Sequence, residues 1–225
     1  MNRYNRKLPD NIYTLKNEVY HFNFKATAKW LELVGKELFG QEFKLQRADL
    51  AILYKLLIWA IRDEENCKKH NISLKKGFML VGPVGSGKTC FMTLLKSILP
   101  IEINHMVKPC REVAYEFSKE GFAALQNYGK KCLVRHQSKL YPKAICFDDL
   151  GSEQNINYYG TVTNTMAEII LIRYDQLVAN GAITHITTNL TPSEIEKHYG
   201  NRIRSRMRSM FNLIAFPAET KDKRV

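Results

Sequence analysis

The stretch Gly82-Pro83-Val84-Gly85-Ser86-Gly87-Lys88-Thr89 constrains what this chain can fold into more than any other. The short apolar run Gly77 to Val81 precedes it, and Phe91, Leu94, Leu95 and Ile98 follow at helical spacing, so it reads as a turn between a strand and a helix. A glycine-rich turn of that kind aims backbone N–H groups inward, with the positive end of the helix behind them, and suits an anion. The pattern is G-x-x-x-x-G-K-[ST]. It predicts that Lys88 reaches the β- and γ-phosphates of ATP and that the Thr89 hydroxyl takes a place on Mg²⁺. Residues Gly82, Pro83, Val84, Gly85, Ser86, Gly87, Lys88 and Thr89, with Cys90 beside them, are the expected nucleotide-binding set.

The rest of the pattern alternates. The spacing predicts a helix over Ala26 to Leu38 and a second over Arg47 to Glu65, both before the first strand. Beyond the phosphate loop and its helix, Lys88 to Leu99, the spacing predicts an extended stretch from Ile101 to Val107 and a helix over Arg111 to Tyr128. A buried strand over Lys143 to Asp149, a long helix over Thr161 to Val178 and a strand over Ala182 to Thr188 come next. Thr191-Pro192-Ser193-Glu194 is a capping box that opens another helix, and Phe211 to Phe216 is a last strand. Strands alternating with helices imply a parallel sheet flanked by helices, with ligands outside the carboxyl ends of the strands.

Two further strand ends carry polar residues. Asp148 and Asp149 close the Lys143 strand: the first is placed to hold Mg²⁺ and the second to orient or deprotonate a water, with Glu153 as an alternative base. Thr187-Thr188-Asn189 closes the Ala182 strand, and the Asn189 amide is expected either to sense the γ-phosphate or to turn the chain before Thr191. In the segment Gly200 to Arg208, at about 100° per residue, Ile203, Met207 and Met210 form one stripe. Arg202 and Arg206 fall on one side of it, Arg204 and Arg208 on the other. One pair could reach a neighbouring subunit's nucleotide and the other a DNA phosphate; a solvated basic face is the plainer alternative.

Composition bounds what remains. At 225 residues the chain holds one α/β domain and a short extension, with 45% hydrophobic and 25% charged residues. No stretch approaches the ~20 apolar residues of a membrane helix, and the basic start has no apolar segment behind it, so a cytoplasmic protein is expected. Five scattered cysteines and six histidines show no metal spacing, and the thiols read as reduced. The 34 Lys and Arg against 22 Asp and Glu leave a formal charge of +12, which favours polyanions and fast, salt-sensitive association with nucleic acid.

The order of these parts resembles AAA+ ATPases, and among them the DnaC-like bacterial helicase loaders and the IstB-like transposition helpers. The residues that carry the likeness are GPVGSGKT (82–89), ICFDDLG (145–151), THITTNL (184–190) and YGNRIRSRMRS (199–209). The likeness covers Phe78 to Phe216 and implies an AAA+ type P-loop domain, expected over residues 41–225, while residues 1–40 read as a short helical N-terminal extension for a partner. No C-terminal helical lid is expected, in agreement with the loader/IstB branch. By the same match Arg206 becomes the arginine finger offered in trans within a homo-oligomer, with Arg202 assisting. Family members of this kind bind single-stranded DNA and place a replicative helicase on it, or serve a transposase. The basic stretch from Lys130 to Tyr141, with Tyr128, is expected to face DNA. A small P-loop kinase or an ATP-bound clamp with little turnover are the readings outside that class.

Overall fold

The structure is a computed structural model that describes residues 7–16, 19–136, 138–220 and 222–223. The chain divides into two compact units, one of residues 1–74 and 90–101, the other of 75–89 and 102–225. In the first unit, β1 (Tyr13–Lys16) and β2 (Val19–Phe22) pair as an antiparallel hairpin. Helix α1 (Phe24–Phe39) starts where the Asn23 side chain accepts the Ala26 N–H at 3.1 Å. It buries Leu31 and Val34. The expected helix over Arg47 to Glu65 is instead two, α2 (Leu50–Ala60) and α3 (Glu64–Lys69). Arg62 adopts φ 60°, which no helix interior accepts, and Asp63 then caps α3 by accepting the Asn66 N–H at 2.9 Å.

The second unit opens with β3 (Gly77–Val81), which leads into the phosphate loop; α4 (Lys88–Leu95) starts at the loop's lysine, and from Cys90 on it counts with the first unit. A 3₁₀ turn at Ile101–Ile103 precedes β4 (His105–Pro109). Helices α5 (Cys110–Glu120) and α6 (Phe122–Gln126) replace the one helix expected over Arg111 to Tyr128. The break is Gly121, at φ 60° and ψ −143°, a conformation that only glycine adopts without strain. Strands β5 (Leu133–His136) and β6 (Lys139–Pro142) form a hairpin, and β7 (Ala144–Leu150) carries the paired acids. A second hairpin, β8 (Ile156–Tyr158) and β9 (Thr161–Thr163), takes up residues expected to begin a helix; α7 (Thr165–Asn180) starts only after the Asn164 cap. Then follow β10 (Thr184–Thr188), α8 (Pro192–Tyr199), α9 (Asn201–Met210) and β11 (Phe211–Ala215). The capping box at Thr191 and Glu194 is present as read.

The central sheet is parallel, in the order β11-β3-β10-β7-β4. Its core includes Ile145, Phe147 and Ile186 from the strands, Phe117 from α5, and Met166, Ile169 and Ile170 from α7. Arg173 of α7 is wholly buried in this apolar setting. Its guanidinium donates to Thr184 Oγ1 at 2.8 Å and to the carbonyls of Tyr128, Lys143 and Ile183 at 3.3, 3.1 and 2.7 Å. It thereby ties together the starts of β7 and β10, the two strands whose far ends form the site. Among the described residues no helix is long and apolar enough to cross a membrane. No disulfide joins any of the five cysteines.

Candidate nucleotide-binding site

The carboxyl ends of β3, β7 and β10 lie on one edge of the sheet because all three strands run parallel. Between β3 and β7 stands β10, so the phosphate loop and the acidic strand end meet across it. The Gly82 N–H donates to the Thr188 carbonyl at 3.2 Å, which fixes the start of the loop to β10. Gly85 at φ 75° and Gly87 at φ 97° supply the left-handed turns that the loop requires.

Within the loop, Lys88 is buried and its Nζ donates to the carbonyls of Gly82 and Pro83 at 2.8 and 2.9 Å. Thr89 Oγ1 donates to Asp148 Oδ1 at 2.8 Å and lies 3.1 Å from Oδ2. The Ser86 hydroxyl is completely buried and has no hydrogen-bond partner among the described residues. An orphaned donor of that kind costs about 1–3 kcal/mol unless something accepts from it, and phosphate oxygens are acceptors. A hydroxyl and a carboxylate converging on one point suit a hard cation such as Mg²⁺ that also takes phosphate oxygens and water. The residues present therefore fit a magnesium nucleotide.

Asp148 and Asp149 differ sharply in environment. Asp148 is 8% exposed, whereas Asp149 is open to solvent. Burial raises the Asp148 carboxyl above its ordinary range; hydrogen bonds from Thr187 and Thr89 act against that rise. The β7–β10 register pairs Ile186 with Phe147 and Thr188 with Leu150, so Thr187 alone stands opposite both acids, a β-bulge. Asp149 carries the local distortion at φ 56°, a left-handed conformation that Asp tolerates better than most residues.

From this strand end the sequence reading chose Asn189 and did not single out Thr187. Its hydroxyl contacts both members of the acid pair. Asn189 is exposed just past β10, where the Leu190 N–H donates to Thr188 Oγ1 at 3.0 Å. Glu153 is engaged on both oxygens, accepting the Gly151 N–H at 2.9 Å and the Tyr199 hydroxyl.

Helix α9 buries Ile203, Met207 and Met210, the stripe read from the wheel. Arg204 pairs with Glu196 of α8, while Arg202 and Arg208 are exposed. Arg206 is half-buried, its guanidinium carbon 5.1 Å from the centre of the Tyr174 ring of α7 and its Nε buried without a hydrogen-bond partner among the described residues. Along the basic stretch, Leu133, Arg135, Lys139 and Leu140 are exposed on the β5–β6 hairpin. Tyr128 does not join that surface: it is 3% exposed and its hydroxyl donates to Glu116.

This strand order, with the phosphate loop after β3 and the acid pair at the end of β7, defines the AAA+ type of P-loop fold. The particular structures it is similar to include the crystal structure of the DnaC helicase loader. That likeness has a TM-score of 0.51 and 17% identity over 79% of this chain and 94% of that one. A candidate primosome component from Streptococcus pyogenes serotype M3 is similar at a TM-score of 0.51 and 13% identity, over 78% and 83% of the two chains. At these identities the likeness is one of fold. No protein-family model matches the sequence, and no curated protein matches it.

Proposed function

We propose that the chain is a magnesium-dependent ATPase of the AAA+ type that acts on DNA in the cytoplasm as a DnaC-like replicative helicase loader. One observation carries the enzymatic part of this reading: Thr89 of the phosphate loop and Asp148 of β7 hydrogen-bond at 2.8 Å. That contact brings the loop after β3 to the end of β7, a strand that is not its neighbour, and supports a cation site between them. The fold shared with the DnaC helicase loader supports the biological part. The net charge of +12 and the exposed basic hairpin support contact with single-stranded DNA.

Thr89 and Asp148 would hold Mg²⁺, which would supply positive charge against the charge that develops in phosphoryl transfer. Lys88 exchanges the Gly82 and Pro83 carbonyls for phosphate oxygens, and Ser86 Oγ gains an acceptor. The Asp149 carboxylate, beside the pair that would hold the metal, takes the proton from the attacking water. Asn189 orients that water against the γ-phosphate. Arg206, offered by a neighbouring subunit of a homo-oligomer and assisted by Arg202, stabilises the developing charge. Residues 1–40 meet the helicase and 41–225 form the ATPase domain.

The test is ATP hydrolysis measured against protein concentration, alone, with single-stranded DNA and with duplex. Cooperative stimulation that favours single strands supports the loader. A duplex preference transfers the reading to an IstB-like transposition helper, and indifference to both DNAs favours a small P-loop kinase or a clamp.

A further inference from the structure

Beyond β11 the chain hooks back over the phosphate loop. The Phe216 N–H donates to the Val81 carbonyl at 2.7 Å, and the Thr220 N–H closes a turn on the Pro217 carbonyl at 3.0 Å. The Lys223 N–H then donates to the Gly85 carbonyl at 3.0 Å. The Lys223 ammonium lies 5.7 Å from the centre of the Phe216 ring, so the two ends of the hook also meet.

The hook brings Asp222 onto Gly85. A β-carbon built on Gly85 would lie 2.0 Å from Asp222 Oδ1 and 2.6 Å from Oδ2, far inside van der Waals contact. Gly85 is thus glycine for two reasons: its φ of 75° and the carboxylate seated against it. A carboxylate presents two anionic acceptor oxygens, the chemistry that a loop of inward N–H groups receives from phosphate. Lys88 is at the same time drawn back onto the carbonyls of Gly82 and Pro83.

We propose that Asp222 is a built-in competitor for the phosphate-binding loop, seated on Gly85 until a nucleotide displaces it together with Lys223. The proposal rests on the nucleotide reading above. A single carboxylate cannot outbid a triphosphate with several charges, so the hook tunes affinity without abolishing it. The apparent Kd rises by the reciprocal of the fraction of chains whose loop is clear: a loop clear about one time in ten binds about tenfold more weakly. Nucleotide binding would in turn release the segment, making its position a report of the nucleotide state.

Two measurements on the full chain test this with wild type, Asp222→Ala and Glu219→Ala, the last an exposed acid of the same segment. The first is hydrogen exchange at the amides of residues 84–87 without nucleotide. The second is equilibrium titration with ATP and Mg²⁺. The proposal expects faster exchange and about three- to tenfold tighter ATP binding in Asp222→Ala, with Glu219→Ala matching wild type. Exchange unchanged by Asp222→Ala overturns the contact, whatever the titration gives. Faster exchange with unchanged affinity, in a wild type that binds ATP, overturns the competition while sparing the nucleotide reading. If no variant binds ATP, the nucleotide reading falls, and the competitor role with it.

Discussion

Thr187 holds both acids of the candidate site through one hydroxyl: its Oγ1 donates to Asp148 Oδ1 at 2.7 Å and accepts the Asp149 N–H at 2.9 Å. The bulge makes this possible, because two residues of β7 face one of β10. Thr187→Val keeps the shape and removes the link. ATP turnover should fall about 10- to 100-fold, the equivalent of ~1.4–2.8 kcal/mol, with ATP affinity changed less than about threefold. Parallel rate and binding measurements check this, and wild-type turnover in the variant would confine Thr187 to holding strand ends.

Asp149→Asn should bind ATP normally and lose about 10²- to 10⁴-fold in hydrolysis, the usual worth of a positioned base. Glu153→Gln should mainly cost stability, since Glu153 already accepts from Gly151 and Tyr199. Single-turnover rates of the two variants separate the roles, and the reverse ranking would make Glu153 the base.

Arg206→Ala should retain ATP binding and lose the rise in per-subunit rate with concentration, by up to ~10³–10⁵ for a finger given in trans. Arg204→Ala should leave that rise in place, because Arg204 is committed to Glu196 in its own chain. Rates across a dilution series distinguish them, and equal behaviour of the two variants would remove Arg206 from the site.

Arg173→Leu should destabilise the fold by about 3–5 kcal/mol, since three carbonyls and a threonine hydroxyl lose their donor inside the core. Denaturant unfolding measures it; a loss under about 1 kcal/mol would mean that the carbonyls find other donors.

Where sequence and structure diverge, the cause is local backbone chemistry. The phosphate loop, the β3 and β11 strands, the Thr191 capping box and the buried stripe of α9 were legible because each is a short-range pattern of residue type and spacing. Gly121 was not read as a helix break, because a lone glycine inside a helical pattern does not declare its φ. The β8–β9 hairpin was hidden more deeply. Its turn places Tyr159 at φ 48° and Gly160 at φ 83°, the pair of positive angles of a tight hairpin, but tyrosine rarely adopts that region. The helix was therefore read back to Thr161. Arg173 escaped because its partners are carbonyls brought close only by the sheet. Thr187 escaped because a one-residue bulge has no signature in the sequence.

His185 lies wholly buried between Phe78 and His105, and its Nδ1 accepts the Phe78 N–H at 3.1 Å. Burial, reinforced by His105 and Arg173, holds its pKa well below the ordinary 6.5. Below about pH 6.5 the unfolded chain therefore binds a proton that the folded chain refuses. Stability is complete above that pH and falls beneath it, by up to ~1.4 kcal/mol per pH unit. Unfolding free energies from about pH 7.5 to about pH 5.5 should show this slope in the wild type and a shallower one in His185→Gln. Equal slopes would place the acid sensitivity elsewhere.

The neighbours of β3 set a timetable for the nascent chain. The strand that carries the phosphate loop pairs on one side with Thr184–Thr188 and on the other with Phe211–Ala215, both made long after it. The loop's own first N–H waits for the Thr188 carbonyl. A ribosome that has delivered Gly82 to Thr89 has delivered the motif but not the cradle. Nucleotide can thus assist only the last stage of folding, and a chain interrupted before β10 exposes both edges of β3 to aggregation.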